Sequence, residues 1–325
     1  MGKPLRIMFQ RSMHFIAATL FAVMASTTHV VADKPSTLNI DWATYNPLSV
    51  VLKANGYLEQ ALADSGIRVR WVQSAGSNKA LEFLNAEALD FGSTAGSAAL
   101  LASVNGNPIK IVSVYSRPEW TALVTRKDTA IHSPADLRGK RIAVTRGTDA
   151  YVFLIRALEE SGLTEKDVKP VLLQHADGKL ALLRGDVDAW AGLDPMMAAA
   201  ELEAGAELFH RNLEANTWGT LCVRTEFAKK HPDLVAKVLQ AYEQARVFAV
   251  EHPDQLTALL AKSMRLPPEI VQRQLQRTDL DRFALGASQR ATISAAGLAL
   301  QRSGIIKPDV NVDAAVDALI DPSFH

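Results

Sequence analysis

The segment Asp90 to Leu101 places two glycines, Gly92 and Gly96, and three hydroxyls, Ser93, Thr94 and Ser97, ahead of an apolar run, with no cation among them. A phosphate loop of the form G-x-x-x-x-G-K-[ST] needs a lysine after the second glycine, and a dinucleotide fingerprint needs G-x-G-x-x-G; neither is present. What these residues can supply is the start of a helix, with unpaired backbone N–H groups and neutral hydroxyls. That chemistry suits a small oxyanion. A tight turn with close packing would satisfy the glycines equally well.

Covalent chemistry finds little footing. His132, His175, His210, His231, His252 and His325 show neither H-x-x-x-H nor H-x-H spacing, so no metal site is expected. Cys222 lies in an apolar strand pattern and reads as a buried, inert thiol. No G-x-S-x-G elbow occurs. No catalytic residue and no cofactor are expected.

Other junctions resemble the first in composition. Asn46 can cap a helix that Pro47 begins, and Ser74-Ala75-Gly76-Ser77-Asn78 is small and hydroxylated. Ser116 to Trp120, Arg146 to Tyr151, His175-Ala176-Asp177 and Leu193-Asp194-Pro195 complete the set. Such junctions matter because open α/β sheets bind ligands beyond the carboxyl ends of their strands. Trp120, Trp190 and Trp218 are candidates for a cleft wall. Trp42 and Trp71 share strand faces with aliphatic residues and read as core.

The elements that would position these residues alternate. Strands are expected at Thr37 to Ala43, Ile67 to Gln73, Leu89 to Gly92 and Ile109 to Tyr115, with helices at Leu48 to Ala63 and Lys79 to Ala88. A second series has strands at Ala122 to Thr125, Arg141 to Thr145, Pro170 to Leu173 and Val187 to Leu193. Its helices are Tyr151 to Ser161 and Lys179 to Arg184. Ser133 to Gly139 reads as a short capped helix. After Trp218, one strand at Thr220 to Arg224 leads into helices at His231 to Glu251, Pro268 to Arg277 and Arg290 to Ser303. The alternation predicts parallel sheets covered by helices.

Residues 1–32 have a basic start, Lys3, Arg6 and Arg11, then an apolar run from Phe15 to Met24, and read as a signal peptide. The chain carries 35 basic and 35 acidic residues, so removing that leader leaves about three net negative charges. Nucleic-acid binding is thereby disfavoured. A single cysteine rules out an internal disulfide framework, so stability must come from a large core.

In sequence order, Asn85 to Gly92, Ser133 to Val144, and Gly185 to Trp190 continuing to Asp194-Pro195 resemble motifs of solute-binding proteins of ABC importers, in the aliphatic sulfonate, taurine and nitrate group, most closely the aliphatic sulfonate binders. The resemblance spans about Leu38 to Asp317. It implies a type II periplasmic-binding-protein-like α/β fold with two domains, each a sheet flanked by helices, and a ligand cleft at the hinge. The expected division is 33–118 with 219–325 as one domain and 119–218 as the other. It implies capture of an aliphatic sulfonate by hinge closure, delivery to an inner-membrane permease, a periplasmic location and a monomer. Taurine, nitrate or another small anion, or pyrimidine-precursor chemistry on the same scaffold, are the alternatives. Carried over by position, the head group falls to Asn46, Ser77, Thr94, Gly96, Ser97, Thr148 and Asp149, with Asp194 and Trp218 further out. The segment Tyr115 to Trp120 departs from the expected pattern, being shorter and carrying Arg117, which could add charge. On this reading a Thr148→Ala, Asp149→Ala double change weakens binding and leaves unfolding nearly unchanged.

Overall fold

The computed structural model describes residues 1–2 and 34–324; the expected signal peptide lies outside them. Eleven strands are present among the described residues: β1 (Thr37–Trp42), β2 (Arg68–Gln73), β3 (Phe91–Ala95), β4 (Ile109–Pro118), β5 (Leu123–Thr125), β6 (Arg141–Val144), β7 (Lys169–Leu172), β8 (Ala189–Ala191), β9 (Glu207–His210), β10 (Gly219–Arg224) and β11 (Thr278–Asp279). They form a six-stranded sheet, β11-β4-β10-β3-β1-β2, and a five-stranded sheet, β7-β6-β8-β5-β9. Each sheet with its helices is called a lobe below.

The sheets are mixed, not parallel as the alternation suggests. β1 runs parallel to β2 and β3, and β6 parallel to β7 and β8, but β10 is antiparallel to β3 and β4, and β5 to β8 and β9. The reason is where the chain changes sheets. β4 and β9 each end at a crossing, so β5 and β10 begin there and must run away from it, against their neighbours.

Local chemistry sets the helix starts. Asn46 caps the helix Pro47–Asn55 by accepting from Ser49 N at 3.2 Å, with Pro47 in the first turn, and Gly56 ends it at φ 66°. The Ser133–Asp136 capping box is present, around the 3-10 turn Pro134–Leu137. Met196–Ala204 is the helix that the Asp194-Pro195 junction starts, and Pro253–Met264 and Val312–Leu319 are helices that the periodicity reading missed. The first is rich in alanine, whose intrinsic propensity alone favours helix.

The first lobe's core joins Leu38, Ile40, Phe91, Ile111 and Leu221 to Val235 and Val238 of the helix Pro232–Glu251. The second's gathers Leu123, Ile142 and Val144 against Phe153, Leu154 and Leu158 of the helix Asp149–Glu160. Trp42 and Trp71 only flank the first core. β2 is an edge strand, so Trp71 is half-buried and donates to Glu59 at 2.7 Å, and Lys53 lies over the half-buried Trp42 ring.

Gly219 opens β10 directly against an aromatic ring: a Cβ there would lie 2.4 Å from Tyr115 Cε2 and 2.5 Å from Ser116 Oγ. Overpacking of this kind costs about 1–3 kcal/mol. Gly219→Ala should therefore lower the unfolding free energy by that amount, read as a lower urea midpoint at unchanged m-value. An unshifted midpoint would mean that the crossing yields without strain.

Candidate functional site

The two chain crossings between the sheets are tied to each other. Thr121 N donates to Asn216 Oδ1 at 2.9 Å, Asn216 Nδ2 returns a bond to Thr121 O, and Arg211 Nε donates to Glu119 Oε1 at 2.9 Å. Beside them lies Asp149, first residue of the helix Asp149–Glu160 and 2% exposed. Its carboxylate accepts from Ser97 Oγ at 2.6 Å, Thr217 Oγ1 at 2.7 Å, Thr217 N at 2.9 Å and Trp120 Nε1 at 2.8 Å. One acid of the second lobe thus gathers donors from the first lobe and from both crossings. The helix dipole at its own position adds to the stabilisation of its charge.

This knot engages groups that the sequence reading reserved for an anion. Ser97 N donates to Thr217 Oγ1 at 3.1 Å, and Gly96 N to Trp218 O at 3.0 Å. β3 reaches Ala95, so Thr94 lies in a strand and not a loop, its hydroxyl 2.9 Å from Thr220 Oγ1 and 3.1 Å from Cys222 Sγ. Asn46 Nδ2 donates to Ser93 Oγ at 2.8 Å, and Ser93 N and Oγ donate to Asp41 Oδ1. Ser77 Oγ accepts from Ala95 N at 3.0 Å, and Thr148 Oγ1 donates to Thr145 O at 2.7 Å. Arg117 pairs with Glu214 at 2.5 Å and lies over the Trp218 ring, whose edge meets Phe283. Asp194 Oδ1 accepts from Ala198 N, while its Oδ2 is 3.7 Å from Arg277 Nη1, too long for a hydrogen bond. Ser97 and Asp149 are therefore in direct contact, as are Gly96 and Trp218, and Arg117 and Trp218. Asn46 and Asp194 belong to separate clusters.

Trp190 is not on a cleft wall. It is fully buried in the second lobe with Ala143, Ala181 and Leu182, and its indole nitrogen is pressed against Gly178. Trp120 stacks edge-on to Tyr45 at 5.9 Å.

The lobes meet where three helices begin. A Cβ on Gly76, just before the helix Ser77–Asn85, would touch the His175 Cδ2–Nε2 edge at 3.3 Å, and His175 begins the helix His175–Arg184. A Cβ on Gly147, just before Thr148 and Asp149, would lie 3.5 Å from Asn78 Cβ. Around this meeting point Ser74 Oγ, Asn78 Oδ1, Gln174 Oε1 and both ring nitrogens of His175 are enclosed without a partner. Sequence reasoning had noted the Ser74 to Asn78 and His175 junctions without selecting Ser74, Asn78, Gln174 or His175. Their only signal was position after β2 and β7, since none belongs to a motif.

Two further acids are perturbed. Burial pushes Asp41 up to about 6 against the hydrogen bonds from Ser93, and pushes Asp194 up to about 7 despite Arg277 nearby. Burial likewise holds His175 neutral, down to about 3, and pushes the Cys222 thiol up to about 12. No group of three or more metal-ligating side chains occurs among the described residues.

Two α/β lobes joined by paired crossings, with helix N-termini meeting between them, define a binding-protein architecture. Residues 50–256 match the NMT1/THI5 like family, and the chain belongs to it. It is similar to an Escherichia coli protein assigned as an aliphatic sulfonates-binding protein, 29% identical over 79% of this chain and 82% of that one. Among solved structures, it resembles the alkanesulfonate-binding protein of Xanthomonas axonopodis pv. citri bound to MOPS. The identity is 27%, with a TM-score of 0.79, over 87% of this chain and 99% of the other. A more distant relative, 24% identical over 62% of this chain and 61% of its own length, is the 4-amino-5-hydroxymethyl-2-methylpyrimidine phosphate synthase of Schizosaccharomyces pombe.

The four bonds to Asp149 reverse one expectation from the sequence. Removing a buried, fully bonded carboxylate leaves its neutral donors orphaned, which costs about 1–3 kcal/mol or more. Asp149→Ala should lower unfolding stability by that amount in urea titrations; a loss below about 1 kcal/mol would show that the knot is dispensable. The raised acids give a second expectation. Between about pH 4 and 7 the folded protein holds protons that the unfolded chain has released, so these groups make stability fall as pH rises through that window. Asp41→Asn keeps an acceptor for Ser93 and should remove the part of the fall below about pH 6; parallel melting profiles for variant and wild type would refute the assignment.

Proposed function

We propose that this protein is the exported substrate-binding component of an ABC importer and that it captures an organic sulfonate between its lobes. The observation that carries the reading is the meeting of the N-termini of the helices Ser77–Asn85, Asp149–Glu160 and His175–Arg184 across the lobes. Their first backbone N–H groups and dipoles favour an anion, and the unpartnered side chains beside them, Ser74, Asn78, Gln174 and His175, are neutral, while the Asp149 carboxylate is taken up by its own four donors. A sulfonate is a permanent anion that accepts hydrogen bonds and needs no proton acceptor. Orientated neutral donors suit it.

In this reading residues 33–118 with 219–325 form one domain and 119–218 the other, and they close on the cargo by motion at the crossings. Ser77, Thr148 and Asp149 head two of the helices and act through backbone N–H groups. Asn46, Thr94, Gly96 and Ser97 brace the loops from beneath. Asp194 and Trp218 flank the crossings, and Arg117, paired with Glu214, lies at the rim. The basic and apolar leader sends the chain to the periplasm, where it works as a monomer and hands its cargo to an inner-membrane permease. It binds no nucleic acid, cofactor or metal and performs no covalent chemistry. The Cys222 thiol, pushed up to about 12, is no nucleophile at neutral pH.

Calorimetry and thermal unfolding with ethanesulfonate, propanesulfonate, taurine, nitrate and sulfate test the reading. A cargo at 100 times its Kd should add about 2.7 kcal/mol of stability. Silence from every sulfonate would sink it, and turnover of any compound, seen by mass spectrometry, would replace binding with catalysis.

A further inference from the structure

The unpartnered atoms at the lobe junction are not those that a sulfonate alone would satisfy. A neutral imidazole carries one N–H and one lone pair, whichever tautomer forms. His175 is 1% exposed and neither of its nitrogens meets a protein partner, so it has one donor and one acceptor to fill. Ser74 Oγ, Asn78 Oδ1 and Gln174 Oε1 stand unpartnered with it, two of them amide groups able to present either an oxygen or an NH₂. Sulfonate oxygens only accept. They can take the imidazole N–H, but they leave its lone pair orphaned in a buried place, a loss of about ten- to a hundredfold in binding.

We infer that His175 is a specificity-determining residue, accepting a hydrogen bond from a hydroxyl carried on the organic part of a sulfonate. The inference rests on the sulfonate reading above and deepens it: the cargo is a hydroxyalkanesulfonate and not a plain alkanesulfonate. A neutral hydroxyl suits the uncharged His175 ring, which offers a lone pair and no charge; Asp41, beside Ser74, already accepts two hydrogen bonds from Ser93. Burial keeps the ring neutral and so preserves its lone pair. Gly76 is what admits the ring, since any side chain there would press on the Cδ2–Nε2 edge.

The test compares 2-hydroxyethanesulfonate with propanesulfonate, which has a methyl in place of the hydroxyl, by calorimetry on the wild type, His175→Phe and His175→Gln. The wild type should prefer the hydroxylated compound by about tenfold or more. His175→Phe should lose that preference while holding propanesulfonate within about threefold, because the ring volume stays and only the lone pair goes. His175→Gln, which restores an acceptor, should recover part of the preference and guards against a folding defect in the phenylalanine variant. Equal affinities in the wild type, or a preference that survives in His175→Phe, overturn the inference and leave the sulfonate reading standing. Tighter binding of 2-aminoethanesulfonate than of 2-hydroxyethanesulfonate overturns the neutral-hydroxyl assignment. If no sulfonate binds the wild type, both readings fall together.

Discussion

The carboxylate of Asp149 holds the two halves of the molecule to one geometry. Four donors reach it from the helix Gly96–Val104 and from the residues on either side of the crossings, and none of these elements is adjacent to another in sequence. A buried charge is tolerated only when its lone pairs are filled, so these elements must arrive together or not at all. Around it Val152 of the same helix packs on Ala296, Leu300 and Ile306, and Arg302 pairs with Glu159, which extends the joint along the helix Ala287–Arg302. The joint is built by the Asp149 side chain, which turns to the crossings, while the unpartnered atoms gather at Ser74, Asn78, Gln174 and His175.

That division explains the distribution of polar groups. Near the crossings the hydroxyls of Ser97, Thr217 and Thr121 are bonded within the protein. Beneath the first lobe's loops, Asn46 bonds to Ser93 and Ser93 to Asp41, which fixes the ends of β1 and β3. Asp194 Oδ2 and Arg277 Nη1 stand 3.7 Å apart without hydrogen-bond partners, and at the junction of Ser74, Asn78, Gln174 and His175 several neutral polar atoms are enclosed unpartnered. Elsewhere in a folded protein such atoms are destabilising and uncommon. Their concentration at one place, beside three helix starts, is what separates a recognition surface from ordinary packing.

Much of the fold was legible in the sequence. The alternation of strands and helices, the Asn46-Pro47 start and the Ser133 to Asp136 box all follow from short-range rules, and short-range rules leave marks in sequence. Strand direction did not, because β5 and β10 are antiparallel for a reason set by where the chain crosses between sheets. The candidate site was legible only as a set of junctions. Ser97 and Thr94 were chosen for their hydroxyls, yet their partners, Asp149 and Thr220, are 52 and 126 residues away, and no spacing rule reports that such a group is already engaged. His175 went unselected for the converse reason. A lone histidine after a strand looks ordinary until burial shows that nothing in the chain completes it.

The edge where Ala198 and Ala199 face Ile270 is held by ion pairs of Glu201 with Arg273 and Arg277, but where the orphaned atoms lie the lobes meet through small residues, Gly76 facing the His175 ring and Gly147 facing Asn78. Glycine buries little apolar area, and the hydrophobic contribution scales with that area. Contact between the lobes at these glycines is therefore weak in itself, and the orphaned polar atoms there oppose it further. A partner that fills those atoms removes the penalty and tips the balance toward closure, whereas tightly complementary apolar faces would close without any cargo. Under the proposed role of taking up a small anion and giving it away, weak self-contact at the cleft and a strong joint at the crossings are two consequences of one requirement: the free energy of closing has to come from the cargo.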